Sequence, residues 1–217
     1  MKPGISKLRR KIYREARRAL AAADLPPKPR ITLILVPTAA SAITLKVTVD
    51  IESKYRAEID AVALGNLGPL IEIAENLGIK VYGLDVEPSH LNVLLESARL
   101  RVQGKIPVTP LTADDFAALA LRDILSAPPI AAVIDAAIKP VHPLSHVLAL
   151  EAFEYAQLVY PRVASLPPTL EAEMKGLAEA SEANPYAARN LHVNLVKAIK
   201  ERITSWSANT RRSGEKS

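Results

Sequence analysis

The chain contains no cysteine. That removes disulfides, thiolate metal sites and cysteine nucleophiles together, and it fits a reducing compartment, so the expected location is cytoplasmic. Aromatic residues make up only 4% of the 217 positions, and Tyr13 is the one aromatic near the first cluster of positive charge. Stacking platforms for sequence-specific reading of single strands are therefore not expected. No apolar run approaches the roughly 20 residues of a membrane span, and the first twenty residues are too cationic for the apolar region of a signal peptide. The Gly-x-Ser-x-Gly nucleophile turn is missing. Gly65-Asn66-Leu67-Gly68 lacks the Gly-Lys-Ser/Thr ending of a phosphate loop and reads as a helix interruption. Gln occurs only at 103 and 157 and Met only at 1 and 174, alongside 17 prolines. Such usage is expected where thermolabile residues are avoided and loops are stiffened.

What the chain does have is charge segregated by position. Residues 1 to 30 carry ten Lys and Arg against Glu15 and Asp24, a net +8, and residues 197 to 217 add +4. The whole chain is +5, so the stretch between the two ends is acidic at −7. Clustered Lys and Arg gain most where they displace counterions from a phosphate backbone, which points to a polyanionic partner. At 49% hydrophobic residues the chain can bury one sizeable core plus an appendage.

The pattern of apolar residues sets the expected elements. Ile5, Leu8, Ile12, Ala16, Ala19, Leu20 and Ala23 recur at helical spacing with cations between them, so residues 5–24 form a basic amphipathic helix. Pro26, Pro27 and Pro29 end it and act as a stiff spacer. Ile43, Leu45, Val47, Val49 and Ile51 alternate with polar residues, which predicts a strand. The run 31–36 precedes it across a short connection, and the two are expected to pair as a hairpin. Helical spacing follows from Tyr55, then a strand over 79–84, a helix over 88–100 and a strand over 105–109. Thr112 with Asp115 three residues on predicts a capped helix to about 126. The run 130–138 leans towards strand. Helices are expected over 145–160, 169–180 and from the Asn184 cap, whose following Pro185 suits a first turn. The expected fold class is α/β, a mixed sheet beginning with a β-hairpin, with a basic N-terminal helix and a helical C-terminal region. The corresponding divisions are 1–29, 30–140, 141–207 and a loose tail at 208–217.

The candidate nucleic-acid contacts are Lys7, Arg9, Arg10, Lys11, Arg14, Arg17 and Arg18 on the first helix and Arg189, Lys197 and Lys200 on the last. Several of these lie three or four residues apart, where guanidinium groups can follow phosphates. Asp50 and Glu52 near the end of the expected strand, with Asp85 and Glu87 after a later one, are the candidate metal ligands, since paired carboxylates on one face suit a divalent cation. Asp50-Ile51-Glu52 resembles the first motif of DnaQ-like exonucleases. In that family the acidic pair binds catalytic metal ions, so the resemblance implies Mg²⁺ or Mn²⁺ and a nuclease or related phosphoesterase. The motif strand of that family opens its domain, which this one does not. Pro143 places His142 outside the following helix, so its spacing from His146 has no ligand meaning, and His90 and His192 are expected to be structural. With no catalytic constellation in view, the expected role is a non-catalytic subunit that binds the DNA or RNA backbone within a larger nucleoprotein assembly. No cofactor and no membrane partner are expected. A metal-dependent nuclease and a protein-interaction module whose end helices dock on other subunits are the alternatives.

Overall fold

The computed structural model describes residues 3–125 and 130–170. The element order is α1 (Pro3–Ala22), β1 (Arg30–Leu35), α2 (Ala39–Glu52), a 3-10 turn (Ser53–Tyr55), β2 (Glu58–Leu64), α3 (Pro69–Asn76), β3 (Lys80–Leu84), α4 (His90–Val102), β4 (Ile106–Val108), α5 (Ala113–Leu125), α6 (Ile130–Ile138), α7 (Ala149–Val159) and a second 3-10 turn (Pro161–Ser165). The strands form one sheet in the order β3-β2-β1-β4, and every strand pair is parallel.

The α/β class stands, and the hairpin does not. Residues 43–52 belong to helix α2, and the segment after Tyr55 supplies strand β2. The reason is burial. Ala39, Ile43, Leu45, Val47 and Ile51 all lie inside, as do Thr44, Thr48 and Glu52 between them, so α2 is enclosed on nearly every side. A helix without a solvent face needs no helical stripe, and its apolar residues can fall in an alternating order by chance of packing. β2 shows the complement: Ala61, Val62, Ala63 and Leu64 are buried in succession because a central parallel strand is covered on both faces. The run 130–138 is also a helix, α6, rather than a strand. The Thr112–Asp115 cap, the strand at 79–84 and the helix following Ser89 are found where the sequence places them.

The sheet separates two cores. Ile31, Leu33 and Leu35 of β1 point into a larger cluster with Ala61 and Ala63 of β2, residues of α2, α3 and α7, and Ile12, Ala16 and Leu20 of α1. Ile34 and Val36 join Val62 and Leu64 in a second cluster with Val93, Leu94, Phe116 and Leu119 of α4 and α5. The proline spacer therefore does not hold α1 away from the rest; α1 lies on α2 and α7. Lys11 pairs with Glu151 at 2.5 Å, and the Tyr13 hydroxyl donates to Asp50. None of the helices among the described residues is long and apolar enough to cross a membrane.

If Ile12, fully buried, anchors α1, then Ile12→Ala should lower stability by about 2–4 kcal/mol. Equilibrium denaturant unfolding checks this, and an unchanged midpoint would show that α1 is seated by its ion pairs instead.

Candidate functional site

Strands β1 and β4 are neighbours, yet the chain leaves β1 towards the face carrying α2 and leaves β4 towards the face carrying α5. In open parallel sheets the crevice beyond the carboxyl ends of two such strands is where ligands bind. Two turns line it here, residues 36–41 after β1 and 109–112 after β4.

The first turn is packed shut by the chain itself. Thr38, Ala39, Ala40 and Ser41 are buried. The Val36 N–H donates to Ser41 Oγ at 3.0 Å, and the Ala39 N–H, at the start of α2, donates to the Pro167 carbonyl at 3.0 Å. Backbone N–H groups at such a helix start are the usual anion cradle of this architecture, and glycines commonly let the ligand approach. Here alanines fill the turn and a carbonyl takes a donor.

The second turn holds a polar network. Asp115 Oδ2 accepts from the Thr112 N–H and from Thr112 Oγ1, both at 2.7 Å, and its Oδ1 lies 2.7 Å from His90 Nε2. Both His90 and Asp115 are almost fully buried. Beside them Thr109 Oγ1 lies 2.6 Å from His142 Nδ1, and His142 Nε2 lies 2.7 Å from Asp135 Oδ1. An ionised carboxylate only accepts, which makes Nε2 the N–H of His142 and leaves Nδ1 to accept the threonine hydroxyl. The Phe116 ring meets the His142 ring edge-on at 4.8 Å. A hydroxyl, an imidazole and a carboxylate in series form an acid–base relay: the hydroxyl proton can pass to Nδ1 while Asp135 stabilises the imidazolium. Sequence reasoning missed this network because its members come from α4, the turn after β4, α5, α6 and the loop before α7, and no single periodic segment holds them. The one local signal was the Thr112–Asp115 cap, whose carboxylate has a second oxygen free to receive His90.

The basic residues of α1 behave as the spacing predicts. Lys7, Arg10, Lys11, Arg14, Arg17 and Arg18 occupy about a third of the helix circumference, opposite Ile12 and Ala16. Glu15 neutralises part of the stripe, at 2.9 Å from Arg14 and 3.2 Å from Arg18, and also lies 3.8 Å from His146 in the loop that carries His142. Arg9 stacks over Tyr13 at 5.5 Å. Arg9, Arg10 and Arg17 have no carboxylate partner among the described residues and line one open groove. Arg189, Lys197 and Lys200, with the helices expected beyond residue 170 and the tail, lie outside the described residues.

The four candidate metal ligands are not brought together. Asp50 and Glu52 end α2 at the amino edge of the sheet, whereas Asp85 and Glu87 follow β3 at the carboxyl edge. The 14 residues of α2 put about 21 Å between those edges. Asp50 is engaged with Tyr13 and with Lys46 at 3.0 Å. The Tyr13 hydroxyl is held well above its ordinary range, by burial first and then by that hydrogen bond. Among the described residues no three His, Asp or Glu side chains gather where they could hold a metal ion.

These features define a doubly wound, parallel α/β protein with a polar carboxyl edge and a cationic helix packed on one face. No family model matches the sequence, and no curated protein matches it in sequence. Among solved structures it is similar to the U34-tRNA thiolase NcsA from Methanococcus maripaludis with its [4Fe-4S] cluster, at TM-score 0.70 and 10% identity over 89% of this chain and 80% of that one. At that identity the likeness establishes the fold. It corrects two expectations. The non-catalytic nucleoprotein subunit, with its nuclease and interaction-module alternatives, gives way, because the fold is one that a tRNA-modifying enzyme uses. The expectation of no cofactor, or of Mg²⁺ or Mn²⁺, is overturned by the cluster that the similar structure carries. The residues of this chain do not fit that group: iron–sulfur clusters are held by cysteine thiolates, and the chain has none. Its histidines at the carboxyl edge are already engaged with Thr109, Asp115 and Asp135.

Glu52 yields a pH prediction. Its burial raises its pKa, so the folded state favours the neutral acid. The stability this contributes is complete below the usual glutamate range and is lost as pH rises through the raised value. Glu52→Gln should therefore match the wild type at pH values below the usual glutamate range and gain on it as pH rises through the raised value, levelling off above it. Thermal melts over these pH values check the trend, which an ionised, stabilising Glu52 would reverse.

Proposed function

We propose that this chain is an RNA-modifying enzyme, with tRNA as the substrate class, that grips the phosphate backbone through α1 and carries out its chemistry at the carboxyl edge of the sheet. The observation that carries this reading is the set of three α1 arginines, Arg9, Arg10 and Arg17, with no carboxylate partner among the described residues, on a fold shared with an enzyme named for its action on tRNA. Two features add to it. His142, oriented by Thr109 and Asp135, supplies an acid–base relay beyond β4. Glu15, which pairs with Arg18 and lies 3.8 Å from His146, ties the basic helix to the loop that bears His142.

In this arrangement Arg9, Arg10 and Arg17 act as backbone contacts, which position a nucleic acid without reading its sequence. Arg14, Arg18 and Lys11 hold intramolecular partners and contribute less charge to the surface. The Thr109 hydroxyl donates a hydrogen bond to Nδ1 of His142 and Asp135 accepts from Nε2, so the imidazole is held in one tautomer and orientation, and Asp135 would stabilise it if it took up a proton.

Unfractionated tRNA should bind the purified protein with an affinity that falls steeply with salt. Each phosphate that the Arg9/Arg10/Arg17→Ala triple variant no longer neutralises should reduce the log–log salt slope by roughly 0.7–0.9. Nucleoside mass spectrometry of tRNA from cells lacking the gene should show one modified nucleoside missing. The wild-type gene should restore it and His142→Ala should not. An unaltered nucleoside profile together with no tRNA retention would reject the enzyme reading.

A further inference from the structure

The structure brings a second aromatic side chain to the cationic surface, where the sequence places only Tyr13. Tyr55 closes the 3-10 turn after α2 and is 65% exposed, which is unusual for a large apolar ring beside a packed helix. It lines a groove at the amino edge of the sheet together with Arg17 of α1, Lys28, Arg56 and the proline spacer. Arg17 also lines the neighbouring groove with Arg9, Arg10 and Lys54, so the two form one positive surface around the end of α1. Lys28, Lys54 and Arg56, like Arg17, have no carboxylate partner among the described residues. Asp24 also lines the groove, as does Glu52, whose charge burial disfavours.

The backbone marks the same place. Four non-glycine residues among those described adopt left-handed conformations, and three of them, Asp24 (φ 48°), Lys28 (φ 55°) and Arg56 (φ 57°), line this groove. Such conformations cost about 1 kcal/mol or more each and persist where the surroundings fix them, often at binding sites. Here they fix the backbone at Lys28 and Arg56, which line the groove together with Tyr55. An exposed aromatic ring in a groove lined by cations is the arrangement that holds single-stranded nucleic acid, with the base stacked and the phosphates paired.

We propose that Tyr55 is a stacking platform for an unpaired RNA base whose flanking phosphates are held by Arg17, Lys28 and Arg56. The proposal rests on the RNA reading above and adds to it the conformation recognised, a single strand or an unstacked nucleotide. The platform lies at the amino edge, about the 21 Å length of α2 from the His142 relay. The stacked base is therefore an anchor, and the base that reacts is another one.

The test is fluorescence anisotropy with a labelled oligouridine, a labelled RNA duplex and unfractionated tRNA as competitor, on the full chain. Tyr55→Ala should weaken oligouridine binding by at least about fivefold, the lower end of what one stacked base contributes, with the salt slope unchanged. Tyr55→Phe should keep the wild-type affinity, and duplex binding should be the same in all three proteins. Arg56→Ala should lower affinity and reduce the salt slope. Tyr55 is exposed, so its replacement should leave the thermal melt in place. Wild-type affinity for oligouridine in Tyr55→Ala, while the α1 arginine variants still lose tRNA binding, would overturn the platform and leave the RNA reading standing. A wild-type protein that binds none of the three RNAs would remove both.

Discussion

Strand β1 is the element on which the rest of the molecule depends. It is hydrogen-bonded on both sides, to β2 and to β4, and its side chains enter both cores, Ile31, Leu33 and Leu35 on one face and Ile34 on the other. A strand buried so completely can exchange no polar backbone group with water, so its two neighbours must be present for it to exist. The two neighbours are reached by opposite routes, α2 covering one face and α4 with α5 the other. The crevice at the carboxyl edge is the geometric result of that choice, since two connections diverging from adjacent strands leave a gap between them.

The two edges of the sheet thus have different physical characters. At the carboxyl edge the polar groups are buried and satisfied by one another, His90 by Asp115 and His142 by Asp135 and Thr109. Low exposure makes such hydrogen bonds strong and directional, which favours fixed chemistry. On α1 and around the amino edge the cations are exposed, several have no carboxylate partner among the described residues, and their interactions are of the kind that salt screens. Helix α2 spans the distance between the two edges and is buried along it, so they are held at a fixed separation.

The legibility of the sequence followed burial. α1 was readable because one of its faces meets water: Ile12, Ala16 and Leu20 are inside while Arg10, Arg14 and Arg17 are outside, and the contrast leaves a period of 3.6. β3, exposed at the sheet edge, and the Thr112–Asp115 cap were readable for the same kind of local reason. α2 and β2 were exchanged because enclosure removes the contrast on which periodicity depends; Thr44 and Thr48 are as buried as Ile43 and Leu45. Asp50 and Glu52 looked like a strand-face pair only through that exchange. The His142 relay and the Tyr55 groove were out of reach for a different reason. Each is assembled from segments tens of residues apart, and only the sheet order brings Thr109 to Asp135, or Arg17 to Tyr55.

The Pro167 carbonyl, which takes the Ala39 N–H at the carboxyl edge, is an intramolecular occupant of the helix start. Tethered to the same chain, that carbonyl is present at an effective concentration on the millimolar scale or above. An anion at that helix start would need the same donor, and could take it only where the segment after α7 moved away. For such an anion, binding and release of that segment would be one equilibrium, and its apparent affinity would be reduced by the fraction of molecules in which the carbonyl keeps the donor.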